Sequence, residues 1–295
     1  MRIQTLDLHF QATPGLIASY LVESAGEYAL VETGPGSTLE TLRAAIRAAG
    51  VVESAIRKVF VTHIHLDHAG SAGWFAQNGA TIYCHPSAAR HLIDPLRLMD
   101  SARMVYGDQM DPLWGPMLPA PADRVIAMQD GQSVTLGDVE VLAWDTPGHA
   151  RHHHAFVIGD VCFTGDVAGM RLQNTHYLSV PAAPPQFDPG AYVQSVDRLI
   201  AANFKTLYLT HFGPVHDVAT HLAAYRPRIT EIHQRVAAWL AEGTSEAENR
   251  ARYLAAEHAV ALQSGLSEEQ WLMSEIGNGT AMCADGVRLF CVKGR

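Results

Sequence analysis

Side chains that can bind a metal ion cluster at the ends of predicted strands. The apolar run 56–62 leads directly into four such side chains within six residues: His63, His65, Asp67 and His68. Three later strand-like runs end in the same way, at His149, Asp166 and His211. Imidazole and carboxylate groups suit zinc, and also iron or manganese. A single histidine is more often a surface or core residue, but four ligand types at this spacing predict a metal centre at one rim of a sheet.

The composition favours a soluble globular protein over a nucleic-acid-binding or membrane protein. The chain has 295 residues, 48% of them hydrophobic, which is enough for one large α/β domain with an appendage. Its formal net charge is −9 and its 21 basic residues are scattered, which argues against a phosphate-binding surface. There is no run of about 18 apolar residues, and the first residues alternate like a strand. We therefore expect a cytoplasmic protein with no nucleic-acid partner and no membrane partner.

The order of the predicted elements indicates two β-sheets with helices on their outer faces, an α/β architecture. Residues 1–32 have the pattern of three strands, and 37–50 have helical spacing. A further helix is expected over 188–204. The remaining predicted strands cover 56–62, 81–85, 139–146, 153–159, 160–166 and 206–211.

Two segments depart from this alternation of strands and helices. Residues 86–123 contain several prolines and many methionine and aromatic side chains, so we expect an insertion of short helices. From about residue 218 the chain is mainly helical. We therefore divide it into a catalytic domain over 1–216, which contains the insertion, and a helical C-terminal extension over 217–295. The extension is compatible with a homodimer contact, a cover for the site, or a shield for the sheet.

Taken in order, the ligand motifs resemble the signature of the metallo-β-lactamase superfamily. These motifs are His-x-His-x-Asp-His at 63–68, Thr-Pro-Gly-His at 146–149, Gly-Asp at 165–166, and His211. The resemblance covers about residues 1–216 and implies an αββα four-layer sandwich. It also implies two divalent metal ions, with zinc the first choice and iron or manganese as alternatives.

The resemblance assigns a role to each candidate ligand. One metal would be held by His63, His65 and His149, and the other by Asp67, His68 and His211. Asp166 would bridge the two ions. A hydroxide shared by the metals would attack the substrate, and Asp67 would act as the catalytic residue that orients this nucleophile and carries its proton.

Variant positions indicate which branch of the superfamily the chain resembles. The common dizinc β-lactamases have Cys where this chain has Asp166, and flavodiiron relatives have Glu in place of His65. The glyoxalase II and lactonase branch shares all seven ligands, so we expect cleavage of an ester, thioester or lactone of a small organic molecule. Three alternatives stay open: a phosphodiesterase, a mononuclear-iron persulfide dioxygenase, and a non-catalytic, metal-stabilised interaction module.

The substrate residues are less well defined by the sequence. Lactonases commonly place a tyrosine three residues after the bridging aspartate, but position 169 is Gly here. His176 and Tyr177 are candidate replacements, although Tyr177 is equally compatible with packing at a loop base. The insertion supplies side chains typical of a helical core or of an apolar pocket: Met99, Met104, Tyr106, Met110, Trp114 and Met117.

Two further departures from the family pattern concern the surroundings of the ligands. Glu32 stands where many members have Asp, which makes the supporting side chain one methylene longer. Residues 152–154 are three consecutive histidines. Strand alternation predicts that they include one side chain that supports a ligand and one exposed side chain, with none binding metal directly.

Overall fold

The computed structural model describes residues 1–293 and contains two six-stranded sheets. In the first sheet the spatial order follows the chain: β1 (Arg2–Asp7), β2 (Ala18–Ser24), β3 (Glu27–Val31), β4 (Ile56–Phe60), β5 (Thr81–Cys84) and β6 (Val125–Ala127). In the second sheet it runs in reverse: β12 (Gly213–Val215), β11 (Thr206–Leu209), β10 (Val161–Gly165), β9 (His154–Ile158), β8 (Val139–Asp145) and β7 (Ser133–Leu136).

Both sheets mix parallel and antiparallel pairs. In the first sheet β1, β2 and β3 are antiparallel neighbours, and β3 to β6 are parallel. In the second sheet only β10 and β11 are parallel. Aromatic side chains fill the space between the sheets, including Phe60 and Phe156, whose ring centroids are 5.2 Å apart. The facing sheets thus form the rigid middle of the molecule.

Helices cover the outer face of each sheet. The first sheet carries α1 (Leu39–Ala48), α2 (Leu66–Ala69), α3 (Ala72–Gln77), α4 (Pro86–Ile93), α5 (Leu96–Tyr106) and α6 (Met110–Trp114). The remaining helices are α7 (Pro189–Ala202), α8 (Val218–Ala241), α9 (Glu246–Gln263), α10 (Glu268–Asn278) and α11 (Thr280–Lys293). Leu199 of α7 and Leu222 of α8 pack in one core with Leu207 of the second sheet. The predicted αββα sandwich with a helical C-terminal region is confirmed.

The insertion over 86–123 forms three short helices, α4 to α6. Met99, Met110 and Met117 are buried in the core beneath them, whereas Met104 is 83% exposed. Tyr106 and Trp114 are partly buried and pack on each other, with ring centroids 5.2 Å apart. The methionines therefore serve mainly as core residues, whereas Tyr106 and Trp114 stay partly accessible.

The C-terminal helices pack closely on the catalytic part of the chain. Helix α8 lies against α7, and a buried Glu257 of α9 accepts hydrogen bonds from Arg228 and Arg235 of α8. Ser245 and Ser267 begin α9 and α10 with complete capping boxes. The boundary at 216/217 stays a prediction. Within residues 1–293, no helix has the length and apolarity needed to cross a membrane.

Candidate metal centre

Loops from both sheets meet at one rim and bring seven predicted ligands together. His63 and His65 lie between β4 and α2, which itself carries Asp67 and His68. His149 follows β8, Asp166 follows β10, and His211 follows β11. We call these seven side chains the main cluster. The ends of strands in the two sheets therefore hold these side chains close together, although the loops that carry them are far apart in the sequence.

The main cluster divides into two groups with a carboxylate between them. The ligand atoms of His63, His65 and His149 lie within 4.8 Å of one another, as do those of Asp67, His68 and His211. Asp166 faces both groups. Its Oδ2 lies 3.2 Å from Nε2 of His149, and its Oδ1 lies 3.3 Å from Nε2 of His68. The seven side chains thus come together, with one group on each side of Asp166.

Hydrogen bonds fix the proton on the outer nitrogen of several imidazoles. Nδ1–H of His149 donates to the Pro181 carbonyl at 3.0 Å, and Nδ1–H of His211 donates to the Leu16 carbonyl at 2.9 Å. Nδ1–H of His68 donates to the Glu32 carboxylate at 3.0 Å. With the proton on Nδ1, the lone pair on Nε2 points into the cluster, as a metal ligand requires.

The inward-facing nitrogens lack enough protons to satisfy one another. Nδ1 of His65 lies 3.0 Å from Nε2 of His63 and 2.9 Å from Nε2 of His149, and it can donate to only one of them. Nε2 of His68 and Oδ1 of Asp166 are buried without a hydrogen bond of acceptable geometry. Unpaired polar atoms are costly in a protein interior. Divalent cations between these atoms would satisfy all of them, so the residues fit the implied metal ions.

Glu32 supports both halves of the main cluster. It is 1% exposed and accepts from the Thr62 hydroxyl as well as from His68. Because the Thr62 hydroxyl donates to Glu32, it accepts from Nδ1–H of His63 at 3.0 Å. Glu32 also has a φ of 66°, in the left-handed region that residues other than glycine seldom adopt. The Glu32 carboxylate thus reaches His68 directly and His63 through the Thr62 hydroxyl.

The chain matches the family described as the metallo-beta-lactamase superfamily over residues 12–211, two thirds of its length. The chain belongs to the metallo-β-lactamase superfamily. The family match is consistent with the His and Asp groups at the rim, which could hold metal ions.

Individual relatives of this superfamily member share the fold at low identity. The metallo-beta-lactamase fold-containing protein ST1585 of Sulfurisphaera tokodaii is 31% identical over 161 residues, which are 53% of this chain and 60% of that protein. Less than two thirds of this relative is therefore matched. Among solved structures, TTHA1429 of Thermus thermophilus has a TM-score of 0.64 at 22% identity and covers 81% of this chain and 82% of its own. The ST1585 structure has a TM-score of 0.61 at 22% identity, covering 77% and 85%.

Residues 152–154 in this superfamily member are all buried, which corrects the expectation of an exposed side chain. Their exposed fractions are 5%, 0% and 1% because the segment enters the second sheet beneath the rim. His153 supports Asp166, since its Nε2 accepts from the Asp166 backbone N–H at 3.1 Å and its Nδ1 contacts the Thr146 hydroxyl at 2.8 Å. Both ring nitrogens of His153 are therefore occupied.

Charges in the main cluster separate the pKa values of its histidines. Burial, with smaller contributions from neighbouring imidazoles, lowers the pKa of His63 and of His65 well below the ordinary value. Burial also opposes a charge on His68, but the carboxylates of Asp67 and Asp166 outweigh it and raise the pKa of His68 well above that value. The carboxylates thus create a strongly negative position next to neutral imidazoles, which favours a cation.

Gly169, the position of the lactonase tyrosine, is filled by a side chain from the C-terminal extension. A Cβ at Gly169 would lie 2.3 Å from the Tyr225 ring. The Tyr225 hydroxyl is 2.8 Å from that of Tyr192, which donates to the Asp166 backbone carbonyl at 2.6 Å. Tyr225 therefore supports Asp166 through Tyr192, and sequence spacing gave no signal for this because α8 lies far along the chain.

His176 and Tyr177 are not brought to the main cluster by any contact in residues 1–293. The Tyr177 hydroxyl donates to Glu257 at 3.1 Å, and its ring packs near Trp271. His176 is exposed. The contacts of Tyr177 correspond to the packing interpretation, because its hydroxyl is bound within the C-terminal helices.

Tyr106, in the insertion, lies near enough to Asp67 for the carboxylate charge to affect its hydroxyl. Burial, with a smaller contribution from the Asp67 charge, raises the pKa of Tyr106 to about 12, so the hydroxyl keeps its proton at neutral pH. Its hydrogen-bond partner is the Met282 sulfur at 3.5 Å, a weak acceptor. The insertion and the start of α11 thus approach each other through Tyr106 and Met282.

Proposed function

We propose that this protein is a hydrolase that takes two divalent ions, zinc as first choice, and cleaves an ester, thioester or lactone of a small organic molecule. The observation that carries the proposal is the Asp166 carboxylate, which lies between two complete groups of ligand atoms. Metal ions bound there would lower the pKa of a shared water molecule and polarise the substrate carbonyl. The second group, with Asp67 and His68, favours two ions over a single iron.

Asp67 has the properties of a residue that positions the nucleophile. Its side chain is 19% exposed, compared with 4% for Asp166, so it borders the accessible side of the cluster. Burial opposes its ionisation, but His68 and His211 outweigh this effect and hold the pKa of Asp67 well below its ordinary value. The carboxylate therefore stays charged, and it can accept a hydrogen bond from a water molecule and orient it.

Tyr106 has the properties of a donor to the substrate oxygen. Its hydroxyl is protonated at neutral pH, and the Met282 sulfur is a weak partner that a carbonyl oxygen can replace. A donor aimed at an oxygen that gains charge in the transition state increases the rate more than it increases substrate affinity. In this proposal Tyr106 takes the role for which His176 and Tyr177 were candidates.

Metal analysis combined with a substrate panel tests the hydrolase. We expect about two zinc or manganese ions per chain and turnover of an ester, thioester or lactone. The His63→Ala variant is the control, since the same preparation should lose both metal and turnover. One iron per chain with oxygen uptake on a persulfide would replace the proposal with the dioxygenase, and turnover limited to phosphodiesters would replace it with the phosphodiesterase.

Replacing Tyr106 tests its role separately. Tyr106→Phe should lower kcat by about 10- to 100-fold with little change in KM or bound metal, because the ring remains and only the donor is lost. Tyr28→Phe, on β3 and outside the main cluster, is the matched control. An unchanged kcat in Tyr106→Phe would remove this residue from the mechanism while leaving the hydrolase proposal intact.

A further inference from the structure

A second group of metal-ligand side chains lies outside the main cluster. His85 follows β5, Asp145 ends β8, and His154 begins β9. Their ligand atoms lie within 4.8 Å of one another, with Nε2 of His85 3.4 Å from Oδ1 of Asp145. We call these three residues the edge cluster. None of them belongs to the ligand set implied by the superfamily resemblance.

Polar atoms of the edge cluster are buried without partners. His154 is 1% exposed, and neither of its ring nitrogens makes a hydrogen bond. Oδ1 of Asp145 also lacks a hydrogen-bond partner of acceptable geometry. A buried histidine with two unsatisfied nitrogens is rare, because each unpaired polar atom costs free energy. An ion pair between His85 and Asp145 alone leaves His154 unexplained.

We propose that the edge cluster binds a divalent transition-metal ion, Zn²⁺ as first choice, in addition to the ions of the main cluster. Two imidazoles and one carboxylate are a common zinc ligand set, with water completing the coordination. The Asp145 side chain is 42% exposed, so an ion can reach the site from solvent. The nearby Arg198 guanidinium binds the Asp145 backbone carbonyl, and its charge is paired with Asp130.

An ion in the edge cluster joins the two sheets at the rim. His85 extends from the first sheet, whereas Asp145 and His154 are opposite each other in the second. Coordination therefore adds a further link between the sheets, which already meet here through the hydrogen bond from the His154 backbone N–H to the Thr62 carbonyl at 2.7 Å. Because the ion binds the folded chain and not the unfolded one, the thermal unfolding midpoint should rise as the zinc concentration exceeds the dissociation constant of the site.

The edge cluster should bind more weakly than the main cluster. Nδ1 of His85 accepts from the Ser87 backbone N–H at 3.0 Å, which places the proton of neutral His85 on Nε2. Coordination through Nε2 moves that proton to Nδ1 and breaks the bond to Ser87. This exchange of one interaction for another predicts a second, weaker class of sites in a metal titration.

A zinc titration of variants tests the edge cluster. Full-length protein stripped with a chelator is dialysed against increasing Zn²⁺, and bound zinc is measured by elemental analysis. Wild type should bind one more equivalent than Asp145→Asn and His154→Gln, in the weaker class. The zinc-dependent rise in the unfolding midpoint over that concentration range should also disappear in both variants. His216→Gln, an exposed histidine outside both clusters, is the control and should match wild type.

The outcomes separate this site from the main cluster. Equal zinc binding by wild type and Asp145→Asn overturns the proposal, as does loss of the weaker equivalent in His216→Gln, which would indicate general surface binding. The comparison counts the difference between two chains, so it does not depend on how many ions the main cluster holds. Asp145→Asn keeps the shape of a partly exposed side chain, and it decides the result even where His154→Gln does not fold.

Discussion

The main cluster and the edge cluster both take histidine and aspartate side chains from strand ends, but they differ in how their imidazoles are held. In the main cluster, Nδ1–H of His68, His149 and His211 donates to a carboxylate or a backbone carbonyl. In the edge cluster, Nδ1 of His85 accepts a hydrogen bond instead, and His154 has no hydrogen bond to either nitrogen.

This difference shows that the ligand side chains are only part of a metal site. A donor bond from Nδ1 fixes both the orientation of the ring and the nitrogen that offers its lone pair. Such a hydrogen bond requires a buried acceptor, such as the carboxylate of Glu32, a residue in the left-handed backbone conformation. The same residue types thus form a prepared site in one place and an adaptable one in the other.

The largest expected effect comes from removing a main-cluster ligand. His63→Ala or Asp166→Ala should lower turnover by at least about 1000-fold, which corresponds to about 4 kcal/mol of transition-state stabilisation. Bound metal should fall with it, because each variant leaves an incomplete ligand group. Elemental analysis and kcat/KM measured on one preparation test this, with His216→Ala as the control. Full turnover and full metal content in either variant would contradict the ligand assignment.

Removing the support of the main cluster should have an intermediate effect. Glu32→Gln keeps the size of the side chain but removes the charge that His68 and Thr62 contact, so metal affinity should fall by about 10- to 100-fold. Competition with a chromophoric chelator measures this dissociation constant. Glu40→Gln changes an exposed glutamate in α1 and is the matched control. An unchanged affinity would mean that the ring orientation of His68 does not depend on Glu32.

The fold and the main cluster were predictable because their signals are local. The strand ahead of His63 and the helix over α1 have clear periodicity, and each ligand motif directly follows such an element. The short strands β6, β7 and β12 were missed, since three or four residues carry too little pattern to distinguish a strand from a loop.

The support around the ligands was not predictable from local patterns. Tyr225 fills the space beside Gly169 from a helix more than 50 residues later, and Glu32 reaches His68 across the sheet. Alternation predicted an exposed side chain at 152–154, but packing at the rim buries all three. Such contacts depend on how elements pack in three dimensions, and the amino-acid pattern of each element does not contain that information.

His153 should have a smaller effect than Glu32, because it holds the backbone of Asp166 and no ligand atom. His153→Gln should lower metal affinity by about tenfold or less, at the lower end of the range for residues that support ligands. The chelator competition used for Glu32→Gln gives a direct comparison. A loss as large as that of His63→Ala would instead place His153 among the ligands.

His152 lies between the two clusters, and its ring centroid is 5.6 Å from that of His65. Its buried position should make the stability of the protein depend on pH. Burial, assisted by the charges of His149 and His85, lowers the pKa of His152 from 6.5 to about 3. Between these values the unfolded chain takes up a proton that the folded chain does not, so the free energy of unfolding falls as the pH decreases.

Urea unfolding of the metal-free protein at several pH values between 7 and 4 measures this loss of stability. In His152→Gln the fall should be smaller by an amount on the order of 2 kcal/mol, since each pKa unit is worth about 1.4 kcal/mol and the window covers only part of the shift. His216→Gln should keep the wild-type slope. A wild-type slope in His152→Gln as well would mean that the acid sensitivity arises from the two clusters and that the ring between them is protonated without loss of stability.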